Sequence, residues 1–432
     1  MTPRKYLAYP VFALAIAGCG GPSKPPATAG YEPSRGDISS EHEGGRSTDP
    51  SAQGARPSPA AERPEMNATA ALAYVQALQA FGFGDLVAAK AGFERAIESD
   101  PRAYQAHYSL GVVHERLGAG QSALAAYRKA LTIVPDYEPA IAAHALLQAR
   151  RGQRNEAERF IEDRIAKMPE SAVLLASLAE LKSMANDTAS AQRLAQEALK
   201  KDPSCAPAMI VIARDHYRHR RIDLALYALR AILDGFGDHD PPRDRDNGDA
   251  LYLRALIYHE QGQRGPAIEA FKRVIQVRPD LVDARVALAQ YYLEAGNAND
   301  ALPLLEGAIR YDMENVPARL AIGDCYRLLG RIEEARSQLE WVLQKDPSLA
   351  QANYNLALLY LFSPSVSGMD AKAQTLAAIS EIEKYQKKRG RAAEGDDSEE
   401  LLNRARQRLA DIEAQLAVSE PVTVPTEPDS SL

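Results

Sequence analysis

The sequence predicts an all-α protein in which helix-turn-helix hairpins stack into a solenoid, wound as a right-handed superhelix. The main observation is a 34-residue period that a proline, or once a methionine, marks. The marker residues are Pro101, Pro135, Pro169, Pro203, Pro279, Met313 and Pro347. The second observation is that small residues, such as Gly111 and Ala123, recur where two helices must touch. This pattern indicates a repeat array in which each unit packs on its neighbours.

The composition excludes several classes of function. Apolar residues make up 46% of the 432, which is ample for burial along a solenoid. The formal net charge is −7, whereas a protein that binds nucleic acid needs a basic face. Three cysteines, Cys19, Cys205 and Cys325, are too few for a disulfide framework. We expect Cys205 and Cys325 to be small buried side chains without a bridge between them.

Residues 1–18 have the pattern of a secretory signal peptide. Arg4 and Lys5 give a basic start, and the apolar run that follows is too short to span a bilayer. The four residues that end at Cys19, IAGC, resemble the lipobox of bacterial lipoproteins. The resemblance implies that Cys19 carries acyl chains such as palmitate and anchors the mature protein to a membrane. The alternative is an ordinary secreted protein.

The segment after Cys19 predicts a flexible tether. Gly20, rather than an aspartate, follows the cysteine. By resemblance to Gram-negative lipoproteins, this favours the periplasmic face of the outer membrane. Residues 19–66 contain too few large apolar side chains to fold, so we expect a disordered chain that lets the folded part stand off the membrane. The Pro-containing tail, residues 418–432, is also predicted to be disordered.

Nine hairpin units repeat one internal pattern. In the second unit, Gly111 lies in the first helix, Gly118 breaks the chain between the helices, and Tyr127 places one large ring on the second helix. Asn186 and Arg220 stand at turns where other units have glycine. We place units one to five at 67–233, an acidic insertion at 234–248, units six to nine at 249–390 and a charged capping helix at 391–417.

This repeat resembles the tetratricopeptide superfamily, whose members bind peptides or protein surfaces in a concave groove. The resemblance implies that positions 2, 5, 9, 12 and 13 of each first helix line that groove. The candidate groove residues are Tyr108, Glu115, Arg116, Ile210, Arg214, Tyr217, Arg218, Tyr252, Leu256 and His259. Tyrosine and arginine are enriched in binding hot spots, although the same side chains could simply solvate the surface. We expect alanine at Arg214, Tyr217 and Arg218 to weaken partner capture and leave melting unchanged.

The sequence contains no motif for catalysis. HExxH, GxSxG, a Walker loop and paired CxxC are all absent. His216 and His219 are three residues apart, but neighbouring arginines oppose a metal ion there. Asp244 and Asp246 resemble the start of a calcium loop, yet Ala255 stands where that loop needs an acid. We therefore expect no enzyme, no cofactor and no metal, and a solvated insertion that ends in a helix cap at Gly248 or Asp249.

The C-terminal third and the lipobox together resemble the repeat lipoproteins of the myxobacterial adventurous-gliding machinery. The matching stretches are NYNLALLYLFSPSVSGMD and AAISEIEKYQKKRG. The resemblance implies an anchored scaffold that holds envelope proteins in a trans-envelope complex. One alternative is a pilotin or assembly factor for a secretin or type IV pilus. A more distant one is a non-catalytic accessory of a cell-wall enzyme, since the repeats leave no room for a catalytic domain.

Overall fold

The computed structural model describes residues 63–237, 240–389 and 396–419, and the signal peptide, Cys19 and nearly all of the tether and tail lie outside them. The described residues form helices and, apart from one isolated bridge, no strands, so the all-α expectation is confirmed. The helices are α1 (Ala68–Gly82), α2 (Leu86–Ser99), α3 (Tyr104–Arg116), α4 (Gly120–Ile133), α5 (Glu138–Arg150), α6 (Arg154–Lys167), α7 (Ala172–Met184), α8 (Thr188–Lys201), α9 (Ala206–Arg218), α10 (Ile222–Leu233), α11 (Gly248–Glu260), α12 (Arg264–Val277), α13 (Val282–Glu294), α14 (Ala298–Tyr311), α15 (Val316–Leu328), α16 (Ile332–Lys345), α17 (Ala350–Phe362), α18 (Ala371–Lys388) and α19 (Ser398–Ser419).

The described helices belong to two compact units, which divide between Leu281 and Val282. The first unit contains α1 to α12, and the second contains α13 to α19. In each unit, consecutive helices pair as hairpins, and the second helix of a hairpin packs on the first helix of the next. First helices of successive hairpins also touch, as α7 and α9 do. This is the nearest-neighbour contact pattern of a repeat solenoid.

Small residues let the two helices of a hairpin approach closely. Gly111 faces the ring of Tyr127: a Cβ built on Gly111 would lie 2.6 Å from Cδ1 of Tyr127 and closer still to Cε1. Ala123 and Ala130 are completely buried beside that ring. The Tyr127 hydroxyl donates to Oε2 of Glu115 at 2.9 Å, so the one buried polar atom of the ring is satisfied. The predicted role of Gly111 as a helix contact is confirmed.

Most hairpin turns need a left-handed residue after the first helix. Gly118 adopts φ 75°, and glycine fills the same place in most other units. Asn186 (φ 61°) and Arg220 (φ 59°) adopt this conformation with a side chain present. Asparagine tolerates it readily, as we expected, whereas arginine holds it at a free-energy cost.

The insertion between α10 and α11 is ordered by charge pairs where it is described. Gly235 (φ 72°) lies against the backbone of Asp240 and Pro241, where a Cβ would clash. Three carboxylates of the insertion form ion pairs: Asp234 with Arg254, Asp240 with Arg243, and Asp246 with Arg273. The carboxylate of Asp244 accepts a hydrogen bond from the Asn247 side chain. The cap of α11 is Asn247, whose Oδ1 accepts from the Ala250 N–H at 3.0 Å. We expected Gly248 or Asp249, but only Asn247 precedes the helix and carries a side-chain acceptor.

The last two helices cover the apolar end of α17. Leu401, Leu402 and Ala405 of α19 are buried in one cluster with Leu361. Arg408 donates to the carbonyl of Leu361 at 2.7 Å, which ties α19 to α17. These contacts bury most of the apolar residues of α17 beneath α18 and α19. The helix α19 continues to Ser419, slightly beyond the predicted start of the tail.

The two cysteines in the described residues are free and buried, as expected. Burial raises the pKa of the Cys205 and Cys325 thiols to about 11. Both are therefore protonated at neutral pH and act as small packing groups. None of the described helices is long and apolar enough to cross a membrane.

We predict that Gly111→Ala destabilises the compact unit formed by α1 to α12 by about 1–3 kcal/mol, because the added methyl group overlaps the buried ring of Tyr127. Urea unfolding followed by circular dichroism measures this. The control is Gly265→Ala, since Gly265 is also helical and a Cβ there meets no atom within 4 Å. An equal loss of stability in both variants would contradict the packing role of Gly111.

Candidate functional site

The predicted groove residues lie on α3, α9 and α11 of the first unit. Two of them differ from expectation, because Tyr108 is only 2% exposed and Ile210 only 5%. Tyr108 packs edge-on against Tyr137, with ring centroids 5.5 Å apart, and also against Tyr127. Their rings and methyl groups fill the space between hairpins, so neither presents a side chain to a partner. Burial of this kind depends on neighbouring units and is not visible in a single period.

Several other groove positions join one hairpin to the next. Arg214 of α9 forms an ion pair with Glu180 of α7. Arg218 donates from Nη1 to the Ser183 carbonyl at 2.9 Å and to its hydroxyl at 2.8 Å. Each bond spans 34 or 35 residues, which is one repeat. We call these contacts the inter-hairpin ladder.

Glu115 belongs to the same ladder two units earlier, between α3 and α5. Its Oε1 accepts from Arg150 of α5 at 2.5 Å, while Oε2 accepts from Tyr127 within its own hairpin. The side chains of Arg150 and Glu115 are mostly buried. Arg214 and Arg218 tie adjacent helices together, and charge-assisted hydrogen bonds in a partly buried place stabilise. We therefore now predict that alanine at these two positions lowers the melting temperature, where the sequence alone led us to expect no change.

A different group of groove residues remains partly accessible at α9 and α11. Tyr217 donates to Glu260, which also pairs with Arg220. Burial and the Glu260 carboxylate raise the pKa of Tyr217 to about 12. The rings of Tyr252 and His259 each face Phe271 of α12, at centroid distances of 6.5 and 6.3 Å.

Leu256 lies one turn from Tyr252 on α11 and is half-buried, as are Tyr217, Tyr252 and His259. We call these four residues, Tyr217, Tyr252, Leu256 and His259, the α9–α11 patch. Rings held at one edge by Glu260 or Phe271 and accessible at the other lose little conformational freedom when a partner binds.

Arg116 makes a contact that the repeat pattern does not predict. Its Nη1 lies 3.4 Å from Oδ1 of Asp280, in the loop after α12, and its guanidinium lies 4.0 Å above the ring of Phe81. Arg278 donates to both carboxylate oxygens of Asp280, at 3.0 and 2.9 Å. The Arg116 and Asp280 side chains are 6% and 5% exposed. We call Phe81, Arg116, Arg278 and Asp280 the clasp.

The clasp joins Arg116 to Asp280, which are 164 positions apart in the sequence and lie in the same compact unit, α1 to α12. A solenoid in which units touch only their neighbours contains no such bond, and no periodic signal could have revealed it. Burial alone would raise the pKa of Asp280, but the charges of Arg116 and Arg278 outweigh burial and lower it to about 2. The carboxylate is therefore ionised at any physiological pH. The clasp holds α3 to the loop after α12, and so constrains any groove between them.

The described residues contain no group of three or more His, Cys, Asp or Glu side chains arranged to hold a metal ion. His219 lies 3.4 Å from Asp215, and Arg221 lies 3.5 Å from the same carboxylate. Arg221 and His219 thus share the carboxylate of Asp215. The chemistry of this surface is hydrogen bonding, ion pairing and aromatic contact.

Family models named tetratricopeptide repeat match residues 74–138 and 177–241, residues 292–359 and residues 248–281. Together these matches cover more than half of the chain. The protein is a tetratricopeptide repeat (TPR) protein. The resemblance seen in the 34-residue period is therefore confirmed, and TPR domains are protein- and peptide-binding scaffolds.

A curated relative is Cellulose synthase operon protein C of Xanthomonas axonopodis pv. citri (strain 306), 28% identical over 232 residues, which are 51% of this chain. The TPR chain spans only 15% of that protein's length. Among solved structures, the APC/C hetero-tetramer Cut9-Hcn1 is 16% identical with a TM-score of 0.46, covering 78% of this chain and 76% of that one. The type IV pilus biogenesis factor PilW is 18% identical with a TM-score of 0.34, covering 50% and 97%. Likenesses this distant leave function undecided.

We predict that Glu180 and Arg214 are energetically coupled. In a double-mutant cycle with Glu180→Ala and Arg214→Ala, we expect a coupling energy of about 1–2 kcal/mol, because both side chains are mostly shielded from water. The control cycle uses Asp163 and Lys167 of α6, whose ion pair is largely exposed; there we expect a much smaller value. Equal coupling energies in both cycles would contradict the prediction that the inter-hairpin ladder stabilises the fold.

We predict that the clasp stabilises the compact unit formed by α1 to α12, and that the size of this stabilisation depends on pH. The folded pKa of Asp280 is about 2 against an ordinary 3.8, so its contribution is complete above pH 4–5 and is lost as the pH falls towards 2. That contribution is about 2 kcal/mol. Asp280→Asn should therefore lower the unfolding free energy at pH 7, and the difference from wild type should narrow below pH 4.

Urea unfolding from pH 3 to pH 7 measures both quantities for the clasp. Asp136→Asn removes an exposed aspartate of the same unit and serves as the control. If the wild type and Asp280→Asn differ by the same amount at pH 3 and pH 7, the ionised Asp280 is not the stabilising group.

Proposed function

We propose that this TPR protein is a lipid-anchored scaffold that binds other envelope proteins through the α9–α11 patch. Cys19 carries the acyl anchor at the periplasmic face of the outer membrane, and the tether separates the helical units from the bilayer. We expect this surface to act through ion pairs, hydrogen bonds and aromatic contacts rather than by catalysis. Partners are peptide segments or protein surfaces.

One observation carries the proposal. Tyr217, Tyr252, Leu256 and His259 are half-buried side chains on two adjacent first helices, whereas the arginines nearby are committed to the ladder. Pre-positioned tyrosine and leucine surfaces beside the mixed charges of Arg220 and Glu260 suit a partner segment with apolar and polar side chains. The patch therefore replaces the broader groove as the proposed contact surface.

We further propose that the partners belong to a trans-envelope motility complex of the adventurous-gliding type. The lipobox ending at Cys19 and the C-terminal stretch NYNLALLYLF support this choice. A pilotin or assembly factor for a secretin or type IV pilus is the second candidate. The nine hairpins and the long segment before α1 favour the gliding scaffold, since pilotins that resemble this chain have about six repeats.

The test of the patch is affinity capture of the tagged full chain from crosslinked cells, followed by mass spectrometry. Tyr252→Ala combined with Leu256→Ala should lose the envelope partners that wild type captures, because truncating hot-spot side chains weakens binding by about tenfold or more each. The matched control is Leu224→Ala combined with Tyr227→Ala, two exposed residues of α10. Melting curves of both variants show whether each is folded.

Recovery of the same partners by both double variants would contradict the patch. The identity of the captured proteins separates gliding components from secretin or pilus components. The anchor is tested with Cys19→Ser, which should leave the membrane pellet with its helicity and melting intact. A folded Cys19→Ser variant that still sediments with membranes would contradict acylation as the anchor.

A further inference from the structure

One side of α1, the first described helix, is an exposed surface without charge. Its exposed side chains are Leu72, Val75, Gln76, Gln79 and, at the end of the helix, Phe83. These residues are spaced at one, three or four positions, so they lie on one side of the helix. The whole of α1, Ala68–Gly82, contains no charged residue. We call this side the α1 face.

Within each unit, the same face of the later first helices is buried by another helix. Leu72 is 63% exposed. The residues equivalent to Leu72 in these later helices are completely buried: Ala106, Ala140, Leu174, Ala208, Ala250, Ala318 and Ala352. Val113 and Leu181, which are equivalent to Gln79, are also completely buried. There the second helix of the preceding hairpin packs on the first helix, as α2 does on α3. The α1 face is therefore a surface with the geometry to receive a helix.

The chain that precedes α1 leads to a different place. Arg63 pairs with Asp136 of the loop after α4, at 3.5 Å. The Asn67 N–H donates to the carboxylate of Asp100, in the loop after α2, at 3.1 Å. In residues 20–62, no stretch longer than seven residues lacks both Pro and Gly, and such a composition predicts no helix. A helix for the α1 face is therefore expected from another polypeptide.

The chemistry of the α1 face fits a second copy of this chain. In a two-fold contact each patch meets the same patch of the other copy, so a charged face would bring like charges together. The α1 face offers apolar and amide groups, and the Gln76 amide can both donate to and accept from its own copy. By contrast, the exposed residues of α19, the last described helix, include Glu399, Glu400 and Asp411. Stacking α19 of one copy on α1 of another would take these carboxylates out of water, so a head-to-tail contact is disfavoured.

The size of the surface also fits a contact between two copies. Phe83 is 86% exposed, and Val87, in the first turn of α2, is 73% exposed. Together with Leu72 and Val75 they expose roughly 500 Å² of apolar surface, which is as large as the patches that mark interaction sites. Two such patches in contact bury about 1,000 Å², the lower limit for a specific interface.

We propose that two copies of this TPR protein associate through their α1 faces in a two-fold dimer. The two α1 helices pack antiparallel, with Gln76, near the middle of the exposed stripe, at the axis and with Leu72 and Phe83 on either side of it. Each α1 takes the place that the second helix of a preceding hairpin takes in later repeats. The contact does not use the α9–α11 patch, so a dimer presents two copies of that patch.

The test is sedimentation equilibrium of the full chain with Cys19→Ser, in which no acyl chain can join the copies. We expect a monomer–dimer equilibrium with a Kd of about 10–100 µM, as for a weak interface of this size. Leu72→Glu should raise the Kd at least about tenfold, because it places a carboxylate in both halves of the contact. The control is Leu224→Glu, at a leucine of α10 that is 50% exposed, which should leave the Kd unchanged. A chain that stays monomeric well above this range, or equal effects of both substitutions, would overturn the proposal.

Gln76 tests the two-fold axis. Gln76→Glu and Gln76→Lys should each weaken self-association, because each brings like charges together. An equimolar mixture should associate at least about tenfold more tightly than either variant alone, because a carboxylate then meets an ammonium group. Both substitutions are at an exposed helical position, and melting curves show that each variant is folded. A mixture that associates no better than its components would overturn the two-fold contact.

The same chain with Cys19→Ser is also mixed with vesicles of phosphatidylcholine and phosphatidylglycerol. We expect it not to float with them. A monomeric chain that floats with the vesicles, and that loses flotation in Leu72→Glu, would assign the α1 face to a membrane and overturn the dimer.

Discussion

The close approach of two helices within a hairpin is the constraint on which the rest of this structure depends. It is possible only where one helix offers almost no side chain: Gly92 lies against Ala77, Gly111 against Tyr127, and Gly323 against Leu339. Such contacts must recur once per hairpin, and this requirement is what the 34-residue period records. Because the period is kept so strictly, a side chain on one first helix meets the equivalent position of the next. The inter-hairpin ladder is a direct consequence of this register.

The ladder also explains why residue type alone is a poor guide to function on a repeat surface. Arginine and tyrosine are the side chains expected at a binding hot spot, and the groove positions contain both. However, an arginine reaches far enough to cross from one hairpin to the next, as Arg214 does to Glu180 and Arg218 does to Ser183. Side chains used in this way stabilise the stacking of helices. The residues that we propose for a partner contact, such as Tyr252 and His259, instead pack against Phe271 and remain half-buried.

Departures from the repeat are the most informative positions in this protein. Asp280 follows a unit-closing proline, yet its carboxylate is buried between the adjacent Arg278 and Arg116 of a distant hairpin. Burying three charged groups is costly unless they satisfy one another, and in the clasp both arginines lie against the one carboxylate.

The sequence by itself determined the fold class, the hairpin register and the burial of Cys205 and Cys325, because each follows from local spacing and from packing within one period. Even the turn at Asn186 could be predicted, since a left-handed residue is a local requirement. The tertiary structure decided which groove side chains are accessible and that Arg116 meets Asp280. These outcomes depend on how much each hairpin rotates relative to the next. Small rotations accumulate over successive hairpins, and no residue pattern within a single repeat encodes where a helix will meet a distant loop.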